Sequence, residues 1–573
     1  MKQLFTTLLM MLVLGTAIVN AQQTREYSSD QVATLLQDLM DATDGDEFVL
    51  TTPGDQGYYR IDSTTMEVHA DITIRSAVGL TTRPMVKLVY NQEYKDAVDT
   101  SMVDYLVRLK ADTCELTLYG IELQGDSAKT KYAIRTMKLK DATGDDSYKD
   151  PAWDEDSIVQ RYVMNIDNCD INGITSGSDG RAIILYVGTR GVLNIKNSTF
   201  SEINRDGINM YSDGTRTTAN GPFQYVDSIV IMNSTFNNIG REAINYRNSG
   251  EDKNDPANKS WLSKIIIEHS TFNDCGNNAA DDSYYPMRVD APEMHITNSL
   301  FTNMDQKSYI IGQNRNPKSV VDYVEFFAVL KEGSAFSDIY DAVDFLRDKN
   351  GDNDTLGIGE NAWLDMHDPK FADAANGDFT LGADSEVLTL ASDGLALGDL
   401  RWSPGFVATN DATLGIITVD GVAIDNFDPA TLTYDAKVPG GTTQVVVAAE
   451  GIHPDAVVEV TQATSIPGLA SITVTSADGW EMLTYEILFT IEVKVEEDLF
   501  NTMRIYPNPA SDHFTVENCE GANLSIYSIT GQEVYKKAKI ANHEIISSDF
   551  AKGVYLIQIE LNGDRTASKL VIR

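Results

Sequence analysis

The sequence predicts an all-β chain, a right-handed parallel β-helix followed by two small β-sandwich domains. Three observations lead there. Five segments superpose without gaps: Met164 to Ile171, Leu193 to Phe200, Ile229 to Phe236, Ile265 to Phe272 and Met294 to Phe301. Within each, apolar residues alternate with variable ones, the period-two pattern of a strand with one buried face. Beyond about Val329 the repeat fades, and short β-rich runs about ten residues apart take over, with turn residues between them, as in small sandwiches.

The repeat carries the architecture. Its starts are separated by 29, 36, 36 and 29 residues. One column holds Asn168, Asn197, Asn233, His269 and Asn298, and another holds Ile171, Phe200, Phe236, Phe272 and Phe301. A third, three residues on, holds Ile174, Ile203, Ile239, Cys275 and Met304. An Asn turn column beside apolar columns predicts coils stacked about 4.8 Å apart, with side-chain amides bonding up the stack. A leucine-rich repeat needs Leu at other spacings and a helical solenoid needs period 3.6; neither pattern occurs. A second strand is expected after each turn, over Arg181–Tyr186, Asp206–Tyr211 and Glu242–Arg247, with a looser match from Tyr284 to Asp290. Asp71–Arg75 and Leu116–Ile121 read as earlier coils, and the amphipathic stretch Ser28–Ala42 as a helix capping the open end. Cys169 and Cys275 fall in these columns, which predicts buried structural thiols, and Cys114 and Cys519 carry no metal or redox spacing.

Composition narrows the partners. The chain has 573 residues, with 85 Asp and Glu against 45 Lys and Arg, a formal net charge of -40. That sign excludes a nucleic-acid partner and a basic membrane-surface binder. Four cysteines are too few for a disulfide scaffold. Lys2, the apolar run Leu4–Val19 and the small-residue site Val19-Asn20-Ala21 predict a signal peptide over residues 1–21, with no transmembrane segment in the exported chain.

Residues 22–402 resemble exported β-helix proteins of Bacteroidota, of the pectate-lyase-like solenoid type, through Asp368-Pro-Lys-Phe371, Asn376 to Leu381 and Gly398-Asp-Leu-Arg-Trp402. After a linker at 403–413, residues 414–496 resemble a cadherin-like, immunoglobulin-type β-sandwich, notably at Phe427 to Tyr434. Residues 500–573 closely resemble the C-terminal sorting domain of type IX secretion. The matching blocks are Ile505-Tyr-Pro-Asn-Pro-Ala510, Leu524 to Gly531, Gly553 to Ile557 and Lys569-Leu-Val-Ile-Arg573. That resemblance implies the type IX secretion machinery as a partner, and a secreted or cell-surface location.

The 36-residue coils carry insertions, Ser212–Asp227 and Asn248–Ser263, that leave the same strand and so flank one side of the rod. Beside them the second-strand columns turn polar: Arg205 with Arg241, Asp206 with Glu242, Asn209 with Asn245, and Tyr211, Arg247 and Arg288 in an outward column. Aligned carboxylates offer a Ca²⁺ site at Asp206 and Glu242. Tyr211, Arg205, Arg241, Asn209 and Asn245 are then substrate-binding, and Arg247 and Arg288 catalytic, gripping uronate carboxylates. The alternative is a solvated ladder of paired charges. Arg241–Ser249 is similar to the Glu-Thr-Ile-Arg block of chondroitinase B and β-helix alginate lyases, with Glu242 in the acidic position but Asn245 in place of arginine. Those enzymes pair a Lys-Ser motif with an Arg-His-Gly motif one coil apart; this sequence contains no Arg-His-Gly, so the pair is absent. The expected function is action on extracellular polysaccharide as a lyase on a uronate-containing glycan, the alternative being a non-catalytic carbohydrate-binding or adhesin-type protein. A calcium-loop spacing at Asp348–Asp354 lacks the loop's Gly and Glu and reads as an Asx-rich turn.

Overall fold

A computed structural model describes residues 22–62, 65–80, 82–89, 105–111, 113–126, 130–136, 160–176, 180–186, 189–211, 226–246, 263–276, 285–289, 292–306, 309–314, 318–345, 357–477, 479, 481–491 and 502–573. The signal peptide, most of both insertions, Arg247 and the Asp348–Asp354 turn lie outside the described residues. The chain divides into two compact units, the first reaching to Thr413 and the second dominated by the small C-terminal sheets.

The first unit is a parallel β-helix. Each coil contributes strands to three stacks, and these strands pair in parallel and in register from coil to coil, save for an irregularity between Ile311 and Asn314 at the last pair of the third stack. In the first, Gln160–Asp167, Thr189–Lys196, Ser228–Met232 and Lys264–Glu268 pair one above the next. In the second, Asp170–Ile174, Thr199–Ile203, Thr235–Ile239 and Thr271–Cys275 do the same. The third is a separate sheet of nine strands from Met66–Val68 to Val343–Phe345.

The bend between the first two stacks explains the asparagine column. The first four superposed segments are each two strands, broken at Asn168, Asn197, Asn233 and His269, and the fifth bends at Asn298 within the continuous strand Glu293–Gln306; these five residues take φ of 53, 48, 49, 44 and 53°. Left-handed backbone is costly for most side chains, and Asn tolerates it because its short amide bonds locally. The amide ladder is partial. Asn233 Nδ2 donates to Asn197 Oδ1 at 2.6 Å, but Asn197 Nδ2 donates to Asp167 at 2.8 Å. Serines one residue on complete the turn: Ser234 Oγ accepts the Ser198 N–H and Ser299 Oγ the Ser270 N–H, both at 3.2 Å.

Apolar columns fill the interior. The phenylalanine rings stack face to face, Phe200 on Phe236 at 4.7 Å, Phe236 on Phe272 at 5.1 Å and Phe272 on Phe301 at 4.8 Å. The column continues to Phe326, 5.0 Å from Phe301. The coil pattern thus outlasts Val329, since the third stack still gains Val343–Phe345. The cysteines are free and buried, and burial pushes the Cys169 thiol up to about 12. The helix Val32–Met40 buries Leu35 and Leu39 against the first coils, as its amphipathic spacing predicts.

Residues 392–402 form a strap across the outside of the asparagine turns. The Ser392 N–H donates to Asn298 Oδ1 at 2.8 Å, and Asp393 meets His269 Nε2 at 2.9 Å. The Leu400 N–H donates to Asn233 Oδ1 at 2.7 Å, and the Arg401 guanidinium donates to the carbonyls of Asn197 and Ser198 at 2.8 and 2.9 Å. Four coils are tied in reverse order by one segment. Gly398 is required within it, because a Cβ there would come within 2.6 Å of Thr271 Oγ1 and its φ is +84°.

In the second unit, Leu414–Val419 pairs antiparallel with Val422–Ala423 and Val447–Gly451, and Thr433–Val438 runs parallel to Met482–Ile491. Two further sheets follow: Arg504–Tyr506, His513–Glu517 and His543–Ser547, then Glu533–Lys537, Asn523–Ser528, Gly553–Leu561 and Asp564–Ile572. Between them lies a core of Phe514, Val516, Leu524, Ile526, Ile557, Ile559 and Leu570.

Because Phe236 stacks on both neighbours and is wholly buried, Phe236→Ala is expected to destabilise the β-helix by about 3–5 kcal/mol. Denaturant unfolding followed by near-ultraviolet circular dichroism measures this, and a loss of about 1 kcal/mol or less would mean the column does not set the register.

Candidate functional site

The third stack places the polar columns. Its strands alternate, so Ile183, Ile208, Ile244, Met287 and Ile311 face the core while the intervening positions face outward. The outward column is Arg108, Arg135, Ile184, Asn209, Asn245 and Arg288 in successive coils. At the bend before each strand lies a second column. Tyr105 and Tyr132 are followed by Arg181, Asp206, Glu242, Tyr285 and Tyr309, in a register fixed by the flanking backbone bonds Ala182 N–H to Asp206 O, Gly207 N–H to Glu242 O and Ala243 N–H to Pro286 O.

The alignments read from the sequence hold here for three pairs. The Arg241 N–H donates to Arg205 O at 2.8 Å, Asp206 stands one coil from Glu242, and Asn209 pairs with Asn245. Arg288 is displaced from its expected column. It pairs with Asn245, two residues before the position opposite Arg247, because Met287 takes the core column of Ile208 and Ile244. A core residue sets register, and here Met287, with the buried Val289 two residues on, stands where Ile marks the column in earlier coils. Tyr211 ends the strand Ile208–Tyr211 opposite Tyr186. Its side chain lies outside the described residues, as does Arg247.

Asp206 and Glu242 are both 0% exposed. Asp206 Oδ2 accepts from Arg181 Nε at 2.9 Å and from Asn209 Nδ2 at 2.7 Å, and Arg205 Nε lies 3.3 Å away. Arg181 is itself 2% exposed, so this is a buried ion pair whose arginine cannot lose its partner cheaply. Sequence reading missed Arg181 in this role, although aligning the second strands sets it directly below Asp206.

Asp206 Oδ1, both Glu242 oxygens, Asn209 Oδ1 and Asn245 Oδ1 are buried and meet no hydrogen-bond donor among the described residues. Two carboxyl groups so placed are satisfied in one of two ways, by a proton held between them or by a cation. Burial, then the Asp206 charge and the hydrogen bond to Asp206, hold the Glu242 carboxyl well above the usual carboxylate range, with Arg288 pulling the other way. Among the described residues no three acidic, histidine or cysteine side chains converge, yet two carboxylates and two amides together present the hard oxygen donors that Ca²⁺ takes. Such side chains could hold that ion. Arg288 caps the cluster with its guanidinium 5.6 Å from the Tyr285 ring centre.

The pH dependence follows from the sign of the Glu242 shift. Between the ordinary value of 4.5 and the raised folded value, the native state keeps a proton that the unfolded chain has lost, so stability falls as pH rises through that window. Glu242→Gln, a neutral mimic of the protonated acid, is expected to flatten this dependence and to be at least as stable as the parent above neutral pH. Urea unfolding across a pH series checks it, and an unchanged slope would show that Glu242 is ionised in the folded protein.

Residues 504–573 match the secretion system C-terminal sorting domain family. A stretch of 158 residues is 28% identical to a gellan lyase of a Bacillus species, covering 27% of this chain and 6% of that protein, so the chain spans a small part of that relative's length. Among solved structures, PorZ, a surface component of the type IX secretion system of Porphyromonas gingivalis, is similar at 16% identity over 18% of this chain and 15% of that chain. Its TM-score is 0.13, too slight to bear on the fold. No helix among the described residues is long and apolar enough to cross a membrane. The chain carries a type IX sorting tail and is exported to the cell surface or the extracellular space.

Proposed function

We propose that the protein is a lyase acting on uronate-containing extracellular polysaccharide, with its site on the outward face of the third stack. The observation that carries this reading is the cluster of donorless buried oxygens on Asp206, Asn209, Glu242 and Asn245, bordered by Arg205, Arg241 and Arg288. The stretch similar to a gellan lyase and the export tail support the polysaccharide and its location.

Elimination on a uronate takes the proton α to the carboxylate, forms a carbon–carbon double bond, breaks the bond to the leaving sugar oxygen and returns a proton to that oxygen. Its first requirement is neutralisation of the uronate carboxylate, without which the carbanion-like charge cannot develop. Arg288 supplies a fixed positive charge beside the cluster, and Arg241 and Arg205 stand one and two coils below Arg288. Arg181 belongs to the foundation, since it holds Asp206 in place from beneath. Asp206 and Glu242, with the amide oxygens of Asn209 and Asn245, would hold Ca²⁺. When bound, that ion would supply charge for the uronate carboxylate. Cation binding must displace the Glu242 proton, so affinity should rise with pH.

The competing reading is a non-catalytic glycan binder, favoured by Asn245 standing where the lyase-like block has arginine. Incubation with uronate-containing and neutral polysaccharides, with Ca²⁺ or chelator, separates the two. The ultraviolet absorbance of unsaturated products is expected only with uronates, and Arg288→Ala should lower its rate by about a hundredfold. Binding without product would establish the adhesin reading, and neither binding nor product would overturn both. Independently of activity, Ca²⁺ should raise the melting temperature more as pH rises, an effect that Glu242→Gln abolishes.

A further inference from the structure

The sorting tail at residues 504–573 leaves an apolar patch outside its core. In Gly553–Leu561 the side chains of Tyr555, Ile557 and Ile559 enter the core, so Val554, Leu556, Gln558 and Glu560 face outward. One end of that outer face is polar: Ser525 pairs with Gln558, and Glu560 meets Arg565 at 3.1 Å. The other end is apolar. Leu556 pairs with Tyr527 and Val554 with Val571, and Val554 and Leu556 are 41 and 47% exposed. A turn follows Tyr527, closed by the Gly531 N–H donating to Ser528 O at 2.9 Å. Ser528 stands opposite Tyr555, so the turn lies at the apolar end, and its Ile529 is 82% exposed. Three segments far apart in the sequence, Leu524–Gly531, Gly553–Ile557 and Lys569–Arg573, thus meet to build one patch.

Folding does not account for these side chains. The core of the tail is filled from the opposite face by Tyr555, Ile557, Leu524, Ile526 and Leu570. A turn is served by Gly, Asn, Asp or Ser, and an isoleucine left in water there buries almost nothing. A contiguous apolar patch on the surface of an exported chain marks a contact with another molecule. Charge indicates its chemistry. Residues 504–573 carry eight Lys and Arg against eight Asp and Glu, so the formal net charge of -40 belongs entirely to the rest of the chain. The neutral tail is thus the part of the molecule that does not repel an acidic partner. Lys569, exposed and opposite Leu556, sets a cation at the border of the patch.

We infer that this patch is the surface by which the type IX secretion machinery reads the chain, and that the machinery meets it with an apolar groove bordered by carboxylates. The inference stands whether or not the protein is a lyase. Export of the full chain from a Bacteroidota cell with type IX secretion tests it. The triple variant Ile529→Ser, Val554→Thr and Leu556→Thr keeps strand-forming residues in the strand, so its melting temperature should match the parent's. Its amount outside the cell should fall about tenfold or more, the effect of losing one strong anchor of an interface. Lys569→Glu should lower export about threefold through its border charge, and Ser525→Ala with Gln558→Ala, at the polar end, should leave export unchanged. Overproduced, the parental chain should slow export of the cell's other sorting-tail proteins, and the triple variant should not. Export of the triple variant or of Lys569→Glu at the parental rate, or an equal loss in the polar pair, would overturn the inference. So would a dimer in sedimentation that the triple variant abolishes, which would make the patch a contact between copies. Flotation of the parent, but not the triple variant, with phosphatidylethanolamine–phosphatidylglycerol vesicles would overturn it in favour of a lipid surface.

Discussion

Everything in the first unit depends on a left-handed bend that recurs once per coil at Asn168, Asn197, Asn233, His269 and Asn298. The bend turns a strand of the first stack into one of the second without breaking the coil's plane, so the next coil can lie directly on it. Residues 29 or 36 positions apart in sequence then become hydrogen-bonded neighbours. Backbone pairing alone would tolerate a slip. A slip by one residue would turn Phe200, Phe236, Phe272 and Phe301 out of the core, and the continuous ring stack makes that the dominant penalty. The strap adds a second lock. Arg401 and Leu400 read the same turns from outside, so the bend is held by its own conformation and by a segment almost two hundred residues away in the sequence.

Register also creates the polar face. Nothing in the local sequence of Asp206 or Glu242 calls for an unusual acid. They become one because stacking brings two carboxyls onto adjacent coils in a place without water, where a lone charge is costly and two like charges are costlier. The Arg181 pair shows how the fold tolerates the first of these charges: Asp206 gets a buried cation and an amide on one oxygen, leaving the other for Glu242. The acid–base character of the site is therefore a property of the stack, and removing either coil's contribution changes the chemistry of the other.

Much of this was legible because columns of like residues survive in the sequence. Asn, Phe and the apolar column beyond them announce a stacked turn and a filled core, and the alignments of Arg205, Asp206 and Asn209 with their partners 36 residues on follow from the same count. Legibility ended where the anchor thinned. In the coil of Arg288, Met287 stands where earlier coils have Ile, and a match stretched over Tyr284 to Asp290 placed the arginine two positions from its true partner Asn245. Phe326 and the strand Val343–Phe345 were hidden because Tyr323 and Ala328 occupy the two left-handed positions there, where earlier coils have Asn or His at the first and Gly, Glu, Asn or Asp at the second. The second bend was not seen at all. Gly, Glu, Asn and Asp share it, and only backbone conformation unites them, which no alternation of polarity reports.

The polar face of the third stack differs from the rest of the chain in a way that the net charge of -40 makes consequential. At long range the molecule repels an anionic polymer, and screening at physiological salt confines that repulsion to roughly 8 Å. Close to the third stack the balance shifts, because Arg181 and Arg205 both meet Asp206 and Arg288 acts on Glu242, whose ionisation burial opposes. An attraction of that kind is local by construction: it rests on cations held within a coil or two of buried carboxyls, so a ligand would feel it only once inside the screening length.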